Sequence, residues 1–184
     1  MRHVPGLLLS ALIHWVVMSC APATSEYIRR GEELEKAQLY QEALEQYQQA
    51  KRVSPDDPEI DGRILKLKRK LADEQVATAR MLLEQNQYMD AAGALKQAIE
   101  IAPSHQQARR LLSKTILSLL ASIDRQARKG DVVEAYGRAQ KLRTLFPSDG
   151  QVERAISGLR QQLAASLLEK ARQNLDRGLF GNAF

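Results

Sequence analysis

The sequence predicts an all-α chain of repeated helix pairs, and three observations carry that expectation. The 184-residue chain is dominated by helix formers (Ala, Leu, Gln, Glu, Lys and Arg) and holds only 5% aromatic residues. Pro55, Pro103 and Pro147 each close an apolar stretch and precede polar residues able to start another helix. Alanine recurs twelve residues before each proline, at Ala43, Ala91 and Ala135, while Tyr40, Tyr88 and Val132 stand fifteen before. Ala50 and Ala98 precede the first two prolines by five.

The elements follow in order from the amino terminus. A basic start (Met1, Arg2, His3) leads into an apolar run from Val4 to Met18. As a helix that run would cover about 22 Å, short of the ~30 Å hydrocarbon core, so it reads as an export leader and not a spanning helix. Val17-Met18-Ser19-Cys20 resembles the lipobox of bacterial lipoproteins. That resemblance implies a diacylglycerol on the Cys20 thiol, a signal peptide over 1–19 and a short anchor and linker over 20–26. Ala21-Pro22-Ala23 offers ordinary signal cleavage instead, releasing a chain that starts at Thr24. Cys20 is the one cysteine in the chain, so no disulfide can form within it and stability must come from packing.

Beyond the leader, periodicity and turn residues predict helices over 26–38, 41–53, 57–86, 89–101, 104–129, 131–145, 149–177 and from 180 onward. Asn86-Gln87, Gly130-Asp131 and Gly178 mark turns between them. The basic stretch Arg63 to Lys70, RILKLKRK, reads as one helix whose face is Ile64, Leu65, Leu67 and Leu71 and whose lysines are its wet side.

Residues 24 to 57 place Tyr27, Gly31, Leu34, Tyr40, Ala43, Tyr47, Ala50 and Pro55 in an order that resembles the tetratricopeptide repeat. Small residues at Gly31, Ala43 and Ala50 let two antiparallel helices approach, and Tyr40, Leu44 and Tyr47 fill the space beside them. Further units fall near 72–105, 116–149 and 164–184, the third with Ile123 at the small-residue place and the last incomplete, with Phe180 and Ala183 at matching places. The family period is about 34 residues. These units recur at 44 to 48, because Ile60, Ile64, Leu67 and Leu71, matched by Val152, Ile156, Leu159 and Leu163, lengthen the first helix. The resemblance implies a tetratricopeptide-like solenoid of long and short helices over residues 27–184.

Chemistry is sparse. The net charge of +5 becomes +4 without Arg2, 26 cations against 22 anions, with both signs interleaved, which argues against nucleic-acid binding. After the leader His105 is the one histidine, read as a solvent-facing residue at a helix start, so no metal set or nucleophile–base pair can be assembled from histidine and thiol. The expectation is a protein that is not an enzyme and uses no cofactor, metal or small-molecule substrate. What the family resemblance implies is recognition of another protein along a groove lined by the first helix of each unit. Its positions fall here on Ile28, Glu32, Glu35 and Lys36, then Val76, Arg80, Leu83 and Glu84. In the later units they fall on Leu120, Asp124 and Arg128, and on Leu168, Arg172, Leu175 and Asp176. The expected protein is a lipid-anchored scaffold of a bacterial envelope, at the outer membrane facing the periplasm, or soluble there if the cysteine is discarded. The alternatives are a helical spacer of a larger exported protein whose working domain follows residue 184, and a self-associating structural protein with paired long helices.

Overall fold

A computed structural model describes residues 21–178, with side chains from Thr24 onward. Cys20, the leader and the helix expected from Phe180 lie outside the described residues. Those residues form seven α-helices: α1 (Ala21–Lys36), α2 (Tyr40–Val53), α3 (Pro58–Glu84), α4 (Tyr88–Ile101), α5 (Gln106–Arg128), α6 (Val132–Leu145) and α7 (Gly150–Asp176). No strand occurs among the described residues. From α2 on, short helices of 14 residues alternate with long ones of 23 or 27. One boundary differs from the expectation: α1 begins by Ala21, within the stretch read as a linker over 20–26. Thr24 is buried, its Oγ1 2.8 Å from Ser54 Oγ, so packed structure starts ahead of residue 27.

Two kinds of turn repeat along the chain. After α1, α3, α5 and α7 a residue adopts positive φ: Gln38 (62°), Asn86 (59°), Gly130 (99°) and Gly178 (71°). The amide of that residue donates to a carbonyl three back in all four, from Gln38 to Glu35 and from Gly178 to Leu175 among them. In the first three the next amide reaches five back, from Leu39 to Leu34, Gln87 to Leu82 and Asp131 to Gln126. This is a Schellman closure, which satisfies the last carbonyls of the long helix and fixes the angle at which the short one leaves.

The second turn opens α3, α5 and α7. Asp57 Oδ1 accepts from the Glu59 amide (2.9 Å), and Asp149 Oδ1 from those of Gln151 (2.9 Å) and Val152 (3.1 Å). At the equivalent place His105 Nδ1 accepts from the Ala108 amide at 3.1 Å. All three are N-caps, which stabilise a helix start by filling an orphan donor. The His105 side chain is only 7% exposed, a correction to its reading as solvent-facing.

The described residues divide into two compact units. The first comprises the residues up to Ala77 together with Gln97–Ala108. Here α1 packs along α2, and Ala43, Leu44, Tyr47 and Leu67 form a core with Ile28, Leu34, Tyr40, Ile64 and Leu71 around it. Leu65 is 63% exposed and does not belong to the buried face expected of it. It lies about 100° around the helix from Ile64, off the stripe of Ile60, Ile64, Leu67 and Leu71.

The second unit comprises Thr78–Lys96 and the residues from Arg109 on. Its core joins Ala92 of α4, Ile116, Leu119 and Ile123 of α5, Ala135, Ala139 and Leu142 of α6, and Val152, Ile156 and Leu159 of α7. Ile123 therefore stands inside the core where other units carry glycine or alanine. The facing short helix compensates, because Ala139 occupies the place of Tyr47 and Leu95.

Candidate functional site

The expected groove begins on α1. Gly31 sets its geometry: a Cβ there would lie 2.5 Å from Tyr47 Cε1 and 2.8 Å from Cζ, so only glycine lets the ring of α2 lie against α1. The buried Tyr47 ring carries its hydroxyl to the rim, where it donates to Glu35 Oε1 at 2.9 Å. Arg63 of α3 reaches the same hydroxyl through Nη1 at 3.3 Å and stacks with its guanidinium carbon 5.6 Å from the ring centroid. That guanidinium also pairs with Glu32 at 2.7 Å and Glu59 at 2.8 Å, and Lys66 approaches Glu35 at 3.4 Å.

Electrostatics follow from these contacts. Burial pushes the Tyr47 hydroxyl up to about 12, with the Arg63 hydrogen bond opposing and Glu35 assisting, so it stays a donor at neutral pH. The hydrogen bond to Glu59 is the main cause that holds Arg63 above its ordinary value. Glu26 is lowered by hydrogen bonds from Arg29 and Arg30 on the exposed face of α1. The carboxylates Glu32 and Glu35 are thus already engaged by Arg63, Lys66 and Tyr47. In this arrangement they tie three helices together.

The remaining groove positions sort by burial. Ile28 is half-buried against the core of the first unit, and Val76 is only 3% exposed. The long helix places Val76 one turn beyond Ala72, itself buried, on the inward stripe. Leu83 is half-buried. Lys36 is exposed at the end of α1, and Arg80 and Glu84 are exposed on α3. On α5, Asp124 and Arg128 are exposed and pair with each other at 2.9 Å, and Arg172 and Asp176 are exposed on α7. In the first unit Ile28, Glu32, Glu35 and Lys36 share one helix, Lys36 exposed and the other three half-buried.

A cleft of about 290 Å³ in the first unit lies outside the sequence expectation, lined by Gly62, Leu65, Lys66, Arg69, Ala102, Ser104 and His105. His105 helps wall it, bonding Asp73 Oδ1 through Nε2 at 2.8 Å. Because Nδ1 accepts from the Ala108 amide, Nε2 carries the proton and donates. The signal in the sequence was the exposed Leu65 among cations, hidden by assigning that leucine to the buried stripe. Among the described residues no group of three or more His, Cys, Asp or Glu side chains is placed to hold a metal ion. No helix there is long and apolar enough to cross a membrane. Compared with protein-family models, with curated proteins and with solved structures, the chain matches none of them.

Proposed function

We propose that this chain is a tetratricopeptide-like scaffold, anchored by lipid at Cys20 in a bacterial envelope, that binds another protein and carries out no catalysis of its own. The observation that carries the reading is the recurrence, unit after unit, of the same two turns at Gln38, Asn86, Gly130 and Gly178 and at Asp57, His105 and Asp149. A chain that repeats its helix-turn-helix geometry offers an exposed helix face in each unit, and stacked repeats commonly bind proteins on such faces. Tyr47, Glu35 and Arg63 stiffen the first pair so that the exposed Lys36 and its neighbours are presented at fixed spacing. The leader supports export, and the lipobox resemblance supports the anchor and a periplasm-facing outer-membrane site.

Site-specific photo-cross-linking in the bacterial envelope tests the proposal. A cross-linkable residue placed in turn at Lys36, Arg80, Glu84 and Arg128 is expected to give a discrete adduct with one other protein at two or more positions. Absence of any adduct at all four, with the chain present at normal abundance, would refute the scaffold.

A further inference from the structure

One place in the repeat is filled in the first unit and open in the second. Between α1 and α3 the Arg63 guanidinium spans to Glu32 and to the Tyr47 hydroxyl, and Lys66 reaches Glu35. The equivalents of Glu32, Glu35, Tyr47, Arg63 and Lys66 are Asp124, Ala127, Ala139, Ala155 and Gly158, each smaller than its counterpart. Ile123, in place of Gly31, takes up the volume of the Tyr47 ring, but Ala155 and Gly158 cannot replace two long cations. A Cβ added at Gly158 would meet nothing within 4 Å. A cleft of about 160 Å³ therefore opens between α5 and α7, with both walls inside the second unit.

The lining defines an occupant. Leu120, Ile123, Ala155 and Leu159 give an apolar floor, of which Ile123 and Leu159 are buried. An apolar cavity of about 150 Å³ takes one benzene ring, so the cleft has room for a single aryl group. Two opposite charges stand at its mouth. Asp124 is already paired with Arg128 at 2.9 Å, whereas the exposed Arg154 makes no ion pair or hydrogen bond among the described residues. The open charge is positive, which complements an anion beside the ring.

We propose, resting on the scaffold reading, that this cleft seats one aromatic side chain of a partner protein, in a segment that brings a carboxylate to Arg154. The guanidinium is then placed to lie over the ring as well, as that of Arg63 does over Tyr47. The chain itself is a poorer source of the ring. In the first unit the Lys66 side chain stays 73% exposed with four helices following its own, so later helices leave this side uncovered. No aromatic side chain among the described residues is exposed, so the described helices of a second copy have none to offer.

The probe is 3-phenylpropanoate, a ring with a carboxylate two methylenes away, titrated into the full chain and followed by NMR of Leu and Ile methyls. Saturable shifts at Leu120, Ile123 and Leu159 are expected, with Kd of about 1–5 mM for so small a ligand. Arg154→Gln should weaken the acid by about threefold to fivefold and leave 3-phenylpropan-1-ol unaffected. Gly158→Leu fills the cleft and should abolish the shifts of both probes while Tm is kept. No saturation by about 50 mM, or equal binding in Gly158→Leu, would overturn the proposal. So would hexanoate binding as tightly as the aryl acid, or a concentration-dependent dimer in sedimentation that Gly158→Leu abolishes. Photo-cross-linked adducts at Arg128, one turn from Asp124, should fade in Gly158→Leu. If they persist undiminished, the scaffold stands and this seat for its partner does not, whereas a native chain that gives no adduct at any of the four positions loses the scaffold itself.

Discussion

Gly31 and Tyr47 make opposite demands on α1. Glycine in a helix interior costs about 1 kcal/mol relative to alanine, so Gly31→Ala would ordinarily stabilise. Here the added methyl would fall 2.5 Å from a ring whose hydroxyl is held by Glu35 and Arg63. Overpacking of this kind costs about 1–3 kcal/mol and outweighs the propensity gain. Gly31→Ala is therefore expected to lower Tm by a few degrees, about 2–4 °C for each kcal/mol at this size. Gly62→Ala, with nothing within 4 Å of its Cβ on the exposed side of α3, is expected to raise it in the same melting experiment. Tyr47 adds a pH signature. Its folded value lies near 12 against 10.0 for the free side chain, so the folded state keeps a proton that the unfolded state releases. That contribution is complete below pH 10 and is lost as pH rises toward 12. Tyr47→Phe, measured by denaturant melts, should be less stable than the native chain at neutral pH by about 0.5–1.5 kcal/mol. The gap between the two should narrow across that alkaline window. A constant gap would mean that the hydroxyl is not held as described.

At the scale of elements, the turns mattered more than the helices. Helix periods were legible because apolar residues at Ile60, Ile64, Leu67 and Leu71 leave few alternatives. Three of the four left-handed turn residues, Asn86, Gly130 and Gly178, were legible from chemistry that tolerates positive φ, whereas Gln38 was not, since glutamine gives no such signal. The third unit looked weak because Ile123 broke the small-residue pattern. A single sequence position cannot show that Ala139 yields the space, which only packing across two helices reveals. Along α3 Val76 continues the buried stripe of Ala72, whereas Leu65 falls about 100° from Ile64 and is exposed, a difference of side that a list of repeat positions does not carry. The cap at His105 was legible as a helix start but not as a tie. His105→Ala removes the Ala108 cap and the contact with Asp73, and is expected to cost about 1 kcal/mol or slightly more. Asp149→Ala, which loses two capping bonds, should cost about as much, and amide exchange should quicken over the first turn of α7 in that variant only. Loss of protection spread over the whole second unit would instead show that the cap governs global stability.

For the molecule as a whole, the candidate site and the address depend on different parts of the chain. None of the described helices is long and apolar enough to cross a membrane, and the attachment proposed here is the lipid on Cys20. A single acyl chain gives only reversible binding, at about 0.8 kcal/mol per buried methylene. A diacylglycerol thioether supplies two chains and a third follows if the new amino terminus is acylated, which makes attachment stable. On the proposed reading Cys20 is the residue on which location turns, and Cys20→Ser lies outside every described contact. The native protein from a bacterial envelope is expected to partition into detergent and to show acyl masses on a chain beginning at Cys20. The Cys20→Ser protein should lose both properties while keeping the same helical circular dichroism and the same Tm. A native mass beginning at Thr24 would discard the anchor and leave a soluble exported scaffold: that cut removes Ala21–Ala23 from α1, while the packing contacts of the first helix pair, from Thr24 through Ser54, lie beyond it.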